Sequence, residues 1–346
     1  MRRVKSPIII WLMVLGLFLL PLTVKAEKPA LIRLGFPNGW EALPAIVAIE
    51  RGFFSQEGIV ANGHTIPSAE ALFYSLAQGS TDFALVPQRT LLAMAEAKLS
   101  VKVVTLGSWG QQMELISSPT DDSLKTIADL KGKTIALTKG SEALPVLIRL
   151  LNRAKLPFSE TSIKFISAED MTKGFNQPNL GIDAMIATKH LTAVPVTKGT
   201  AKIFLGNAEI VKSIGYIGAS TLIGRQSLIN DDPSLVQKTV SAWIKALHYI
   251  QQDPDDAARL LMIFFHRQGI RNISFELTKS WVNMVHYDRY LWEPTDTTDA
   301  EYNGWGLREA GVLKELPKLK GFIDNRFAKK ALAKLEKDSE KTGGRQ

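Results

Sequence analysis

LIRLGFPNGWEALPAIVAIERGFFSQEGIV, residues 31–60, reads as one strand–loop–helix–turn–strand unit. Leu31, Ile32, Leu34 and Phe36 form a short apolar strand. Pro37-Asn38-Gly39 breaks it, because proline removes a donor and glycine permits unusual dihedrals. Ala42, Ala45, Ile46 and Ile49 then recur at helical spacing, and Pro44 is tolerated in the first turn. Gly52 and Gly58 punctuate the stretch after the helix, and Ile59 opens another apolar run. A strand feeding a helix through a glycine-bearing loop leaves backbone N–H groups open at the helix start, where anions and polar ligands are favoured. The loop is expected to form half of a ligand cleft.

Downstream, the same alternation repeats. Ile59 to Ile66 reads as a strand ended by Pro67, and Ser68 suits the N-cap of a helix over Ala69 to Gln78. Asp82 to Val86 is a buried strand, a helix runs through Leu91, Leu92, Met94 and Ala95, and Val101 to Leu106 is the next strand. Such βα alternation predicts a parallel sheet with helices on both faces. Gly107-Ser108-Trp109-Gly110 interrupts it, and Gln112 to Ser117 is expected to cross into a second lobe. There the pattern restarts, with strands at Thr134–Thr138, Ile163–Ile166, Ile182–Ile186 and, as an edge, Lys202–Leu205, and a helix over Leu144 to Ala154. Tyr216 to Ile223 is expected to cross back. The rest reads as helix: Asp232-Pro233 and Asp253-Pro254 both pair an N-cap with proline at the first helical position. Weaker helical patterns lie at Leu277–Val285, Asp296–Asn303 and Phe327–Leu335.

The chain opens Met1-Arg2-Arg3-Val4-Lys5, runs apolar from Ile8 to Leu20, and continues to Val24-Lys25-Ala26, the pattern of a cleaved secretory signal peptide. The run is shorter than the roughly 20 apolar residues that span a bilayer, which disfavours an uncleaved anchor. The sequence has no Cys. That excludes a lipidated thiol, disulfides, zinc thiolate sites and a Cys nucleophile. Loss of residues 1–26 takes four cations and no acid, so the formal charge falls from +8 to +4. Basic and acidic residues are interspersed up to a C-terminal tail where Lys329, Lys330, Lys334, Lys337 and Lys341 gather, so a nucleic-acid partner is not expected. The mature length exceeds a single core, and two lobes are expected.

Ala48-Ile49-Glu50-Arg51-Gly52-Phe53-Phe54-Ser55-Gln56-Glu57-Gly58 resembles the A-x-E-K-G-F-F-K-x-E-G signature of the nitrate/sulfonate/taurine-type solute-binding proteins of ABC importers. Further segments agree in order: the helix before Asp82-Phe83-Ala84, Ile127 to Lys133 followed by Gly140-Ser141, Gly181-Ile182-Asp183-Ala184, and Phe322-Ile323-Asp324. The resemblance covers roughly Leu31 to Leu332. It implies an α/β periplasmic binding protein fold of type II, two α/β lobes joined by two crossover segments. Lobe 1 is expected over 27–110 and 216–346, including the C-terminal helices, and lobe 2 over 111–215. It also implies a non-enzymatic monomer in the periplasm whose partners are a small-molecule ligand and an importer permease, with no cofactor. A ligand-sensing partner of a membrane receptor or kinase is the alternative. The thiamine-pyrimidine synthases resemble the fold too, but they are intracellular and use a Cys-rich segment.

In open α/β sheets ligands bind beyond the carboxyl ends of the strands. That selects Asn38, Gly39, Trp40, Ser68, Gln88, Arg89, Ser108, Trp109, Gly140, Ser141, Thr188 and Lys189 as ligand-binding candidates. Ser68 and Ser141 precede helices and can hold an anion, although plain capping explains them as well. Trp40 and Trp109 lie in glycine-bearing loops, where an indole can cover a ligand and donate one hydrogen bond, or simply pack between lobes. Arg89 offers a bidentate partner to an anion or a solvated first-turn charge. With Lys139, Lys189 and His190 it suggests a polar or anionic ligand. After Gly181 the chain departs from the family pattern as Met185-Ile186-Ala187-Thr188-Lys189-His190, so the ligand of sulfonate or nitrate members does not carry over. The other histidines, His64, His248, His266 and His286, have no metal-like spacing.

Overall fold

The computed structural model describes residues 28–343 except 140, 178, 179, 216, 217 and 219, so the leader expected at 1–26 lies outside the described residues. The opening stretch folds as its pattern predicts. β1 (Ala30–Pro37) buries Ile32, Leu34 and Phe36 and leaves Leu31 in solvent. A 3-10 turn at Trp40–Ala42 leads into the helix Leu43–Glu50, with Pro44 in its first turn. Gly52 and Gly58 adopt φ of +68° and +72°, a left-handed conformation that explains glycine at both points of the signature. β2 (Ile59–Ile66) then pairs in parallel with β1.

The strands assemble into two mixed sheets of five. The first also holds β3 (Phe83–Pro87), β4 (Val101–Ser108) and β10 (Ser220–Arg225), in the order β2-β1-β3-β10-β4. The second comprises β5 (Met113–Ser117), β6 (Thr134–Thr138), β7 (Ser162–Ile166), β8 (Ala184–Thr188) and β9 (Lys202–Leu205), in the order β7-β6-β8-β5-β9. The alternation predicts parallel sheets, and here the structure corrects it. β10 runs antiparallel to β3 and β4, and β5 runs antiparallel to β8 and β9. Both are the strands by which the chain enters a sheet from the other lobe. A chain arriving that way is not held to the right-handed crossover that keeps βαβ strands parallel.

The two sheets repeat one device. The Asp82 carboxylate accepts the backbone N–H of Arg33 at 2.9 Å, and the Asp183 carboxylate accepts that of Thr134 at 2.8 Å. Each aspartate therefore clamps the start of the third parallel strand to its neighbour. β8 begins at Ala184, just after its clamp, rather than at Ile182 as its apolar run suggests. Short helices at Ala168–Lys173, Lys189–Thr197, Asn207–Ile214 and Gln226–Asp231 carry too little periodicity to be read from sequence, and the second even contains Pro195.

The return segment encloses the first sheet. Asp232 and Asp253 cap the helices Pro233–Gln252 and Pro254–Arg267 as their Asp-Pro pairs predict. The former buries Val236, Val240, Trp243, Ile244 and Leu247, and the Trp243 indole N–H donates to the Leu106 carbonyl at 3.0 Å. Further on, the pattern at Leu277–Val285 becomes the helix Phe275–Val282, and Asp296–Asn303 falls inside the helix Pro294–Glu309. The helix Pro294–Glu309 packs against both Gln88–Glu96 and Ala143–Arg153, one helix from each side of the crossovers. The C-terminal helix spans Arg326–Gly343. Among the described residues no helix is long and apolar enough to cross a membrane.

Candidate functional site

A cavity of about 320 Å³ lies where strands of both sheets end. Pro37 closes β1, Pro87 closes β3, Ser108 closes β4, Thr138 closes β6 and Thr188 closes β8, and all five line it. The antiparallel β10 contributes its first residue, Ser220, at the same end, with its hydroxyl 2.8 Å from that of Ser108. The volume lies near the lower end of the range typical of small-molecule sites.

Among the described lining residues the titratable or charged side chains are Glu41, Glu142, Lys139 and His190. Glu41 sits deep between the lobes yet keeps an opening to the cavity, and its carboxylate folds over Gly39, where a Cβ would collide with it. Burial pushes its carboxyl up to about 7, with only a hydrogen bond from its own backbone opposing the rise. Burial and the Glu41 charge both push the buried Tyr287 phenol upward. Glu142 comes from the second lobe, and burial raises its carboxyl too, against the opposing pull of the Arg89 N–H and charge. It accepts the Arg89 backbone N–H at 3.0 Å, which places a carboxylate at the first turn of the helix Gln88–Glu96. His190 is pulled down to about 4 by burial, so its ring is neutral at neutral pH. Its Nδ1 lies 2.7 Å from the Thr188 hydroxyl.

Aromatic rings bridge the lobes across this cavity. Trp40 stands edge-on to His190 at 6.1 Å, and His190 stands edge-on to Trp281 at 5.9 Å. Trp40 is 5 % exposed, and its indole N–H has no hydrogen-bond partner. Trp109 differs: its N–H donates to Asp288 at 2.7 Å, Arg289 lies over its ring, and its backbone bridges to His286. The first crossover is thus pinned to the return segment, and the Trp109 ring still borders the cavity.

Of the residues expected from sequence, Trp40, Gln88, Ser108, Trp109, Ser141 and Thr188 border this cavity. Asn38, Gly39 and Ser68 line an adjoining hollow of about 290 Å³ that shares Pro37, Glu41, Leu85 and Pro87 with it. Ser68 also caps its helix, accepting the Ala71 N–H at 3.1 Å. Ser141 donates to the Thr138 carbonyl at 2.8 Å, and the N-cap position falls to Glu142 instead. Lys189 lines a separate groove beside the helix Phe275–Val282, and Arg89 reaches the cavity through its backbone contact with Glu142. Gly140 lies outside the described residues. Sequence reasoning missed Glu41 and Glu142 as cavity groups. Both sit inside the strand-end loops, but an acid there looks like any solvated charge until the other lobe covers it.

Comparison with known proteins agrees with this architecture. The structure aligns with that of the periplasmic aliphatic sulphonate binding protein SsuA from Escherichia coli at a TM-score of 0.72 and 14 % identity, covering 85 % of this chain and 97 % of that one. The desulfurization enzyme DSZB aligns at a TM-score of 0.62 and 14 % identity, covering 88 % and 99 %, so binders and an enzyme share the fold. By sequence, a Bacillus subtilis protein provisionally named as an aliphatic sulfonates-binding protein is 24 % identical over 308 residues, 87 % of this chain and 88 % of that one. The NMT1/THI5-like family model matches residues 40–257, from the cavity tryptophan to the first turn of the helix Pro254–Arg267. With well over half of its length matched, the chain belongs to the NMT1/THI5-like family.

Proposed function

We propose that this protein is the solute-binding component of an ABC importer. It captures one small polar molecule between two lobes, closes over it by hinge motion, and presents the closed form to a permease at the membrane. It acts in the periplasm as a monomer, after loss of its leader, and carries out no catalysis. The observation that carries the reading is the cavity at the strand ends of both sheets, with Trp40, whose buried N–H has no partner, in its wall. Ligands of open α/β sheets gather at such ends. The relatives named for sulfonates support a sulfonate as the ligand, as a second reading.

Thermal shift against amines, carboxylates, sulfonates and nitrate, with small-angle scattering on each hit, tests this. A ligand at a hundred times its Kd should raise stability by about 2.7 kcal/mol. Scattering should show a smaller radius of gyration with ligand. Binding without contraction would contradict hinge capture.

A further inference from the structure

We infer that the solute recognised in this cleft carries a protonated nitrogen group, an amine, amidine or guanidine, which Glu41 and Glu142 hold from opposite lobes. This rests on the solute-binding reading and narrows it to one ligand chemistry. Both carboxylates line the cavity, and among the described residues neither has an ion-pair partner within 4 Å. Glu142 has the Arg89 N–H and charge beside it and Glu41 only its own backbone N–H, so a cationic group would complete the pairing that a carboxylate away from water needs.

Several of the seats expected for an anion are already served, and the Arg89 charge is directed at Glu142. Glu142 occupies the start of the helix Gln88–Glu96, and Ser68 caps the helix Ala69–Ala77. His190 at the start of the helix Lys189–Thr197 is neutral. Lys139, the cation among the described lining residues, is exposed at the rim. The buried, unpartnered Trp40 N–H points independently to a ligand, because a donor without an acceptor in such a place is costly. The solute therefore pairs its cationic end with the two glutamates, rests against the Trp40 and Trp109 rings, and offers an acceptor to the Trp40 N–H.

The test compares two probes of one size and opposite charge, benzamidinium and benzenesulfonate, by isothermal titration at pH 6 and pH 8. Benzamidinium should bind at least tenfold more tightly than benzenesulfonate. At pH 6 its binding should release a proton to the buffer from Glu41. Glu41→Gln and Glu142→Gln, both near-isosteric, should each weaken benzamidinium at least tenfold and leave the thermal transition cooperative. Preference for benzenesulfonate, equal affinity for both probes, or failure of benzamidinium to bind at millimolar concentration would overturn the inference. A protein that ignores benzamidinium but still contracts on another solute keeps the importer reading and loses only this assignment. One that contracts on no solute loses both.

Discussion

Glu41 and His190 border the same cavity, and burial displaces them in opposite directions, which gives opposite effects on stability. Glu41 titrates near 4.5 when unfolded and about 7 when folded. Between those values the folded chain holds a proton that the unfolded chain has released, so stability falls as pH rises through that window. His190 titrates near 6.5 when unfolded and about 4 when folded. Its contribution is complete above 6.5 and is lost as pH falls toward 4. The groups sharing their surroundings are Glu142 and Lys139 from the second lobe and Tyr287 from the return segment. Urea midpoints of the ligand-free protein across pH 4 to 8 check the assignment. Glu41→Gln should remove the loss toward pH 7, and His190→Gln the loss toward pH 4. A Glu41→Gln profile parallel to wild type would show that Glu41 ionises normally.

Among the secondary-structure elements, the paired aspartate clamps carry the clearest prediction. Burial alone would raise the Asp82 carboxyl, but hydrogen bonds from the Arg33 and Arg225 guanidiniums and the Arg33 backbone hold it below the usual range. Asp82→Asn should cost about 2–3 kcal/mol, below a fully buried pair because Arg33 is partly solvated. Asp183 is more exposed and its Lys133 partner lies 3.3 Å away, so Asp183→Asn should cost about 1 kcal/mol. Ser68→Ala should cost about 1 kcal/mol through its lost cap. Urea denaturation with an unchanged m-value measures all three. These elements also show what the sequence revealed. Proline and glycine breaks and Asp-Pro starts are local, so β1, β2, β6 and the two Asp-Pro helices stand close to where the pattern places them. Strand direction is tertiary, and nothing within Gln112–Ser117 or Tyr216–Ile223 announces that β5 and β10 run against their neighbours. The same holds for the cavity. Trp40, Gln88 and Thr188 are legible as strand-end positions, whereas Glu41 and Glu142 acquire their character only once the facing lobe removes water.

Across the whole molecule, one buried polar chain joins the cavity to the far side of the crossovers. Gln88 borders the cavity and accepts from Asn303 Nδ2 at 2.6 Å. Asn303 accepts from Arg149 Nη1 at 3.3 Å, and the Arg149 Nη2 donates to Asp299 and to the Ile214 carbonyl. Arg149 is 7 % exposed and belongs to the helix Ala143–Arg153, so the helix Pro294–Glu309 straps one lobe to the other. Arg149→Met removes the donors to Asn303 Oδ1 and the Ile214 carbonyl, while the partly exposed Asp299 turns to water. It should destabilise the protein by about 2–4 kcal/mol, and scattering should show a larger radius of gyration in the liganded state.

Capture in this cleft can be read by native mass spectrometry of the protein purified gently from its own compartment. Wild type should retain one small molecule per chain and Trp40→Ala should be bare, with both proteins giving the same charge-state distribution of a folded chain. Wild-type protein that is bare under those conditions, or an adduct that survives Trp40→Ala unchanged, would contradict capture in this cleft.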